Sequence, residues 1–165
     1  MTCSMQDSEK RQKLLNYAYF YLNIRPRTVK EVRDYLVKKA NQFHVPLDVI
    51  DDVVDRLVEL NLLNDNEFVR WYVEGKSASS KKSTFLLRQE MTRLGITKAN
   101  IDEYFAGRQV NEIQPARDAL ASRWRRFRAF SDKKIRFQKA AAYLGRRGFS
   151  YDVIKKTIAE YEGEE

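Results

Sequence analysis

The residues of this chain best suited to chemistry are arginines, and they are concentrated in one short segment. Residues 123–128 read Arg-Trp-Arg-Arg-Phe-Arg. Guanidinium groups form paired hydrogen bonds with phosphates and carboxylates. On a helix the two aromatic residues share a stripe with Leu120, which favours burial, while the arginines at 125, 126 and 128 project away from it. The segment therefore predicts a basic surface for a nucleic acid or an acidic protein face.

Other cations could extend this surface or form a second one. The candidate contacts of the first surface are Arg123, Arg125, Arg126, Arg128, Lys133, Lys134, Arg136, Lys139, Arg146 and Arg147. The candidates of the second cluster are Lys76, Lys81, Lys82 and Arg88. The serine-rich setting of this second cluster is typical of a mobile loop or a solvated linker.

The net charge supports a polyanionic partner. The chain of 165 residues carries a formal charge of +8. Between Arg117 and Lys156 there are 13 basic residues and only three acidic ones. Such an asymmetry indicates contact with nucleic acid or with an acidic protein surface.

No constellation in the sequence predicts catalysis. The run Gly75–Ser77 imitates the end of a phosphate-binding loop, but that motif needs a glycine where Arg70 stands and a preceding strand. His44 is the only histidine and Cys3 the only cysteine, so zinc chemistry and an internal disulfide have no basis. We therefore predict no catalytic residue, no metal site and no cofactor.

Five acidic residues at helical spacing form a stripe, which consists of Asp48, Asp51, Asp52, Asp55 and Glu59. Carboxylates on one face can hold a magnesium ion. A solvated helix face is the favoured interpretation, because the apolar positions opposite already explain the periodicity. Contact with a basic partner stays open.

The helical corner that must position these residues occurs twice in the sequence. Residues 91–101 and 144–154, 53 positions apart, each read as an apolar helix end, a glycine, an apolar residue, a hydroxyl N-cap and a new apolar run. The glycines are Gly95 and Gly148, and the caps are Thr97 and Ser150. A corner repeated at a fixed interval predicts a tandem helical array whose function lies on its surface.

The apolar spacing predicts an all-α fold of three tandem three-helix repeats, resembling helix-turn-helix units. Thr28 followed by Glu31 predicts a capping box. The further predicted caps are Asn64 or Asp65, and Ser131 or Asp132. The predicted segments are a flexible tail (1–7), the first repeat (8–61), the second repeat (62–111), the third repeat (112–162) and an acidic tail end (163–165). With no apolar run near the roughly 20 residues of a membrane span, we expect a soluble, cytoplasmic monomer.

Several runs resemble one family. Residues 62–72 (Leu-Leu-Asn-Asp-Asn-Glu-Phe-Val-Arg-Trp-Tyr) and 87–96 (Leu-Arg-Gln-Glu-Met-Thr-Arg-Leu-Gly-Ile) look like the central signature of RecX regulatory proteins. Residues 27–32 are similar to the opening of that family's first repeat, and residues 144–149 resemble its third corner. One departure lies at Lys81-Lys82-Ser83, where the family often has a glycine.

The resemblance implies an elongated, curved array of three-helix units without chemistry of its own. It also implies a partner, the RecA filament on single- or double-stranded DNA. Binding would limit the filament and inhibit its recombinase, ATPase and coprotease activities in DNA repair and the SOS response. Two alternatives stay open: an independent DNA-binding protein that uses its helix-turn-helix-like units, and an inert helical adaptor.

Overall fold

The chain folds into helices joined by short turns. The computed structural model describes the backbone of residues 2–108 and 110–163, and the side chains of residues 8–75, 81–108 and 110–163. Within these ranges there are nine helices and no strand, as the predicted all-α class requires. They are α1 (Thr2–Ile24), α2 (Val29–Phe43), α3 (Asp48–Glu59), α4 (Asp65–Ser80), α5 (Thr84–Arg93), α6 (Lys98–Phe105), α7 (Ile113–Arg128), α8 (Lys133–Gly145) and α9 (Tyr151–Gly163). None of the described helices has the length and apolarity to cross a bilayer.

The helix starts depend on the predicted caps. Thr28 and Glu31 form the capping box: the Glu31 N–H donates to Thr28 Oγ1 at 3.0 Å, and the Thr28 N–H donates to Glu31 Oε2 at 3.2 Å. Of the two alternatives at α4, Asn64 accepts from two backbone N–H groups of the first turn. At α8 Asp132 does the same. The remaining hydroxyl caps are Thr97 for α6 and Ser150 for α9. Local side chains therefore satisfy the exposed ends of these helices.

Three predicted boundaries need correction. The backbone is helical from Thr2, so residues 2–7 belong to α1 and are not an irregular tail. The serine-rich stretch also belongs to a helix, because α4 continues to Ser80. The last helix, α9, extends to Gly163. Neither residues 2–7 nor α4 contains a proline, so no residue there breaks the helix.

Lys81 ends α4 in the left-handed region, with φ of +51°. Glycine adopts this conformation without strain, whereas a side chain with a Cβ is disfavoured there. Lys81 lies in the turn where the sequence departs from the glycine of the similar family. A glycine at position 81 would adopt this backbone conformation without the strain that Lys81 has.

We expect Lys81→Gly to raise the free energy of unfolding by about 1 kcal/mol, because it relieves the left-handed strain. Lys81→Ala is the matched control: it removes the same charge but keeps a Cβ, and should change stability little. Urea denaturation followed by circular dichroism measures both. Equal stabilities for the two variants would contradict the strain at this position.

Packing divides the chain into two compact units, Met1–Trp71 with Met91–Tyr104, and Tyr72–Glu90 with Phe105–Glu165. In the first unit α1, α2 and α3 pack on one another, and in the second α7, α8 and α9 do so. Buried residues at the centre of the first include Leu14, Val32, Leu36, Ile50 and Leu57. Those of the second include Leu120, Trp124, Leu144, Ile154 and Ile158. The middle repeat is therefore shared between the two units.

Within each unit, a corner glycine packs against the start of a middle helix in the preceding repeat. In the first unit the buried Thr28 donates its hydroxyl to the Leu94 carbonyl at 2.7 Å, beside Gly95. In the second unit the buried Ser83 donates its N–H to the Arg147 carbonyl at 3.0 Å, beside Gly148. The corner that recurs 53 positions apart thus specifies a contact between repeats as well as a turn within each.

A carboxylate strengthens each of these junctions. Asp65 Oδ1 accepts from the Val29 N–H at 3.0 Å, and Glu112 Oε1 accepts from the Thr84 N–H at 2.6 Å. Each acid belongs to the repeat that follows the helix it caps. Burial raises the pKa of Asp65, and the charge of Glu31 adds to this rise, whereas the Val29 hydrogen bond opposes it.

The capping acid of α2 behaves in the opposite way. Burial alone would raise the pKa of Glu31, but hydrogen bonds from Arg25 and the Thr28 N–H, with the charges of Arg25 and Arg27, outweigh it and lower the pKa. Arg25 lies 2.6 Å from the carboxylate and Arg27 lies 3.4 Å from it. This ion pair therefore holds Glu31 ionised at the first junction.

Candidate functional site

A groove between α7 and α8 collects the largest set of predicted cations. We call it the repeat-three groove, and its volume is about 570 Å³. It is lined by Arg123, Arg126, Phe127, Phe130, Lys139, Ala142, Tyr143, Arg146 and Arg147. On each side the residues recur at i, i+3, i+4 and i+7, beginning at Arg123 and at Lys139. This spacing places Arg123, Arg126 and Phe127 on one face of α7, and Lys139, Ala142 and Tyr143 on one face of α8. The other lining residues, Phe130, Arg146 and Arg147, lie just beyond the ends of these helices.

Aromatic rings form the floor of the groove. Phe127 and Tyr143 are buried, with their ring centroids 5.6 Å apart. The Tyr143 hydroxyl donates to the Ala119 carbonyl at 3.2 Å, which fixes the ring across the two helices. Phe130 is 38% exposed at the rim. The floor is therefore rigid and apolar, below a polar rim.

The rim is cationic. Arg123, Arg126, Lys139 and Arg146 are exposed. Arg147 is half-buried: its guanidinium lies 4.0 Å from the Tyr143 ring centroid, and its Nε is buried without a hydrogen-bond partner. Among the described residues that line the groove, none is acidic. Such an arrangement attracts an anion that is long enough to meet several cations at once.

The other predicted members of this surface have different positions. Arg125, Arg128, Lys133 and Lys134 are exposed but do not line the groove. Arg136 is only 7% exposed, and its Nε lies 3.9 Å from Glu162 Oε1 of α9. The prediction that Arg136 extends the basic surface is wrong, because this side chain belongs to the interior of the third repeat.

The described cations of the second predicted cluster, Lys81, Lys82 and Arg88, are half-buried. Lys82 forms an ion pair with Glu90, which also accepts from the Tyr72 hydroxyl at 2.8 Å. Arg88 lies over the Phe105 ring, 4.3 Å from its centroid. Lys81 is half-buried in the left-handed turn. Lys76 is outside the described side chains. Lys82 and Arg88 therefore support the local structure through these contacts.

Sequence reasoning missed two of the three aromatic residues that line the groove, Phe130 and Tyr143. The signal was the helical spacing of Lys139, Tyr143 and Arg146, which shows that cations and an aromatic ring share one face. Tyr143 is also a buried residue of the core of the second unit. A residue can serve both the core and a groove floor.

The remaining candidates have structural explanations. The acidic residues 48, 51, 52, 55 and 59 are exposed along α3, opposite the buried Ile50, Val53 and Leu57. Two of them form ion pairs, Asp51 with Arg33 and Glu59 with Arg56. This is the solvated face that the spacing favours.

The other two apparent motifs are also parts of helices or their ends. His44 ends α2 in the left-handed conformation, with φ of +52°. The Gly75–Ser77 backbone lies within α4, so it does not form a phosphate-binding loop.

Comparison with known proteins identifies the same family over most of the chain. Three models of a single family match in order: its first three-helix domain at residues 15–57, its second at 64–104 and its third at 112–158. The family is RecX. Each match lies within one of the three repeats predicted from the sequence.

Individual relatives agree with the family models. The regulatory protein RecX of Bacillus velezensis is 33% identical over 157 residues, covering 93% of this chain and 58% of the relative. That of Bacillus subtilis is 30% identical over 164 residues, covering 98% and 60%. The chain thus spans somewhat over half the length of these curated relatives.

Two solved structures share the fold. A crystal structure of RecX from Lactobacillus salivarius has a TM-score of 0.77 at 23% identity, over 94% of this chain and 98% of that one. Another crystal structure of regulatory protein RecX has a TM-score of 0.78 at 20% identity, over 96% and 76%.

Proposed function

The chain belongs to the RecX family of regulatory proteins, and from this premise we propose that it binds RecA filaments on DNA. Binding would mostly inhibit the recombinase, ATPase and coprotease activities of RecA in DNA repair and the SOS response. The protein would act as a monomer and without catalysis. The observation that carries the proposal is the repeat-three groove, which brings five cations together over an aromatic floor.

The mechanism that we propose is steric and electrostatic. The groove cations follow the phosphates of the filament-bound DNA, so each contact releases counterions and strengthens binding at low salt. Arg123, Arg126 and Arg146 can each form paired hydrogen bonds with phosphate oxygens. A protein held along the filament in this way obstructs strand exchange and the growth of the filament, without a chemical step.

Co-sedimentation with RecA on single-stranded DNA, across a salt series, tests this function. We expect the protein to sediment with the filament at low salt, and its bound fraction to fall steadily as salt rises. It should also lower DNA-dependent ATP hydrolysis by RecA under the same conditions. RecA without DNA, and DNA without RecA, are the controls.

Two outcomes would contradict the proposal. Sequence-specific duplex binding in the nanomolar range without RecA would instead favour an independent DNA-binding protein. No binding to the filament or to DNA at any salt concentration would favour an inert adaptor.

A further inference from the structure

A second pocket lies between α1 and α2, and it shares no residue with the repeat-three groove. We call it the α1–α2 pocket, and its volume is about 580 Å³. It is lined by Lys13, Asn16, Tyr17, Phe20, Tyr35 and Lys39. We propose that this pocket binds single-stranded nucleic acid, with a base stacked on Phe20 and phosphates held by Lys13 and Lys39.

The aromatic walls of the pocket are fixed by stacking. Tyr17 stacks on Phe43 with centroids 5.5 Å apart and planes at 14°. Tyr35 stacks on Tyr21 at 4.2 Å and 10°. These pairs hold the two tyrosines that line the pocket in defined orientations, so little side-chain entropy is lost when a flat ligand enters.

Phe20 provides an aromatic ring for the ligand itself. It is 68% exposed, the largest exposed fraction among the big apolar side chains described. An open phenyl ring beside fixed tyrosines is a platform on which any base can stack, because every base has a π face. The pocket is therefore suited to a flat ring and needs no particular base sequence.

The charge of the pocket determines the class of ligand. Lys13 Nζ lies 3.6 Å from the Phe43 ring centroid. Lys39 Nζ lies 5.0 Å from the Tyr17 centroid, and it donates to Gln42 Oε1 at 3.5 Å. Among the described residues that line the pocket, none is acidic. Two cations beside the exposed Phe20 ring and the half-buried tyrosines 17 and 35 favour a ligand with both anionic groups and flat rings over an apolar protein segment.

This inference goes beyond the proposed function, because it concerns the first repeat and binding without RecA. It can be tested by fluorescence anisotropy with labelled oligo(dT) and an abasic oligonucleotide of the same length. The protein used in this test is the full chain with the substitutions Arg123→Gln, Arg126→Gln and Lys139→Gln, which suppress binding by the repeat-three groove. In this background the protein should still bind oligo(dT) at low salt.

Phe20→Ala should then weaken oligo(dT) binding by about 5- to 140-fold, the range for loss of one stacked base. It should leave binding of the abasic probe and the salt dependence unchanged. Replacing Lys13 and Lys39 together with Gln should weaken both probes and reduce the slope of log K against log salt by about 1.4. Phe85→Ala is the matched control, since Phe85 is 60% exposed on α5 and should have no effect.

Each contrary result would overturn the proposal. Loss of all oligo(dT) binding in the starting background would show that the α1–α2 pocket binds none. Equal effects of Phe20→Ala and Phe85→Ala, or equal weakening of both probes, would exclude base stacking. If Phe20→Ala changes only co-sedimentation with RecA filaments, the pocket binds protein and not nucleic acid.

Discussion

Gly148→Ala is expected to lower the free energy of unfolding of the second compact unit by roughly 2–4 kcal/mol, from backbone strain and overpacking together. Gly148 has φ of +83°, a region disfavoured for a residue with a Cβ. A Cβ at this position would also collide with Ser83 Oγ and lie 3.0 Å from Leu86 Cβ. Ser83 cannot move away cheaply, because its hydroxyl accepts from the Leu86 N–H at 3.2 Å.

Gly95→Ala should have a similar effect on the first unit. Its φ is +90°, and a Cβ would lie 2.5 Å from Lys30 Cβ, which α2 holds in place. Urea denaturation of each variant gives the change in stability. Both substitutions should weaken a junction between repeats as well as a turn.

Alanine substitutions at other glycines distinguish the cost of backbone strain from the cost of a steric collision. Gly107 has φ of +69° with open space around it, so Gly107→Ala should cost only the strain, about 1–2 kcal/mol. Gly145 has open space and a helical backbone in α8, so Gly145→Ala should be neutral or stabilising by up to about 1 kcal/mol. If Gly148→Ala costs no more than Gly107→Ala, the packing of this corner against Ser83 is not important for stability.

These glycines also show how far the sequence could predict the fold. The repeated corner predicts the turns and their caps, because helix ends are specified by nearby residues. The contacts of the glycines with the preceding repeat were not predicted, since Thr28 and Leu94 are 66 positions apart. Local patterns carry no information about which distant helix will cover a corner. The repeat was visible, but its role in joining neighbouring repeats was not.

Only part of the candidate site could be predicted from the sequence, because local patterns do not show which distant helices meet. The surplus of cations pointed to the third repeat, and Arg123, Arg126, Lys139, Arg146 and Arg147 line one groove there. Arg136 could not be separated from them by composition, because its partner Glu162 lies on another helix. Arg125 was grouped with Arg126 because both project away from the apolar stripe, although neighbouring positions on a helix point in different directions.

Replacing Arg123, Arg126 and Lys139 together with Gln is expected to weaken binding to RecA filaments on single-stranded DNA by about 100-fold at 0.1 M salt. This follows if each side chain contacts one phosphate, because each such contact contributes about 0.7 to the slope of log K against log salt. The slope should accordingly fall by about 2. Inhibition of DNA-dependent ATP hydrolysis should require a correspondingly higher protein concentration. Co-sedimentation across a salt series measures the affinity and the slope.

The matched control replaces Arg125, Lys133 and Lys134 with Gln, which removes the same charge from exposed positions that do not line the groove. Both variants change only exposed side chains, so their stabilities should stay close to that of the parent chain. If binding depends on the groove, the control should keep most of its affinity and slope. Equal losses in the two variants would show that RecA filaments respond to the net charge of the third repeat and not to this groove.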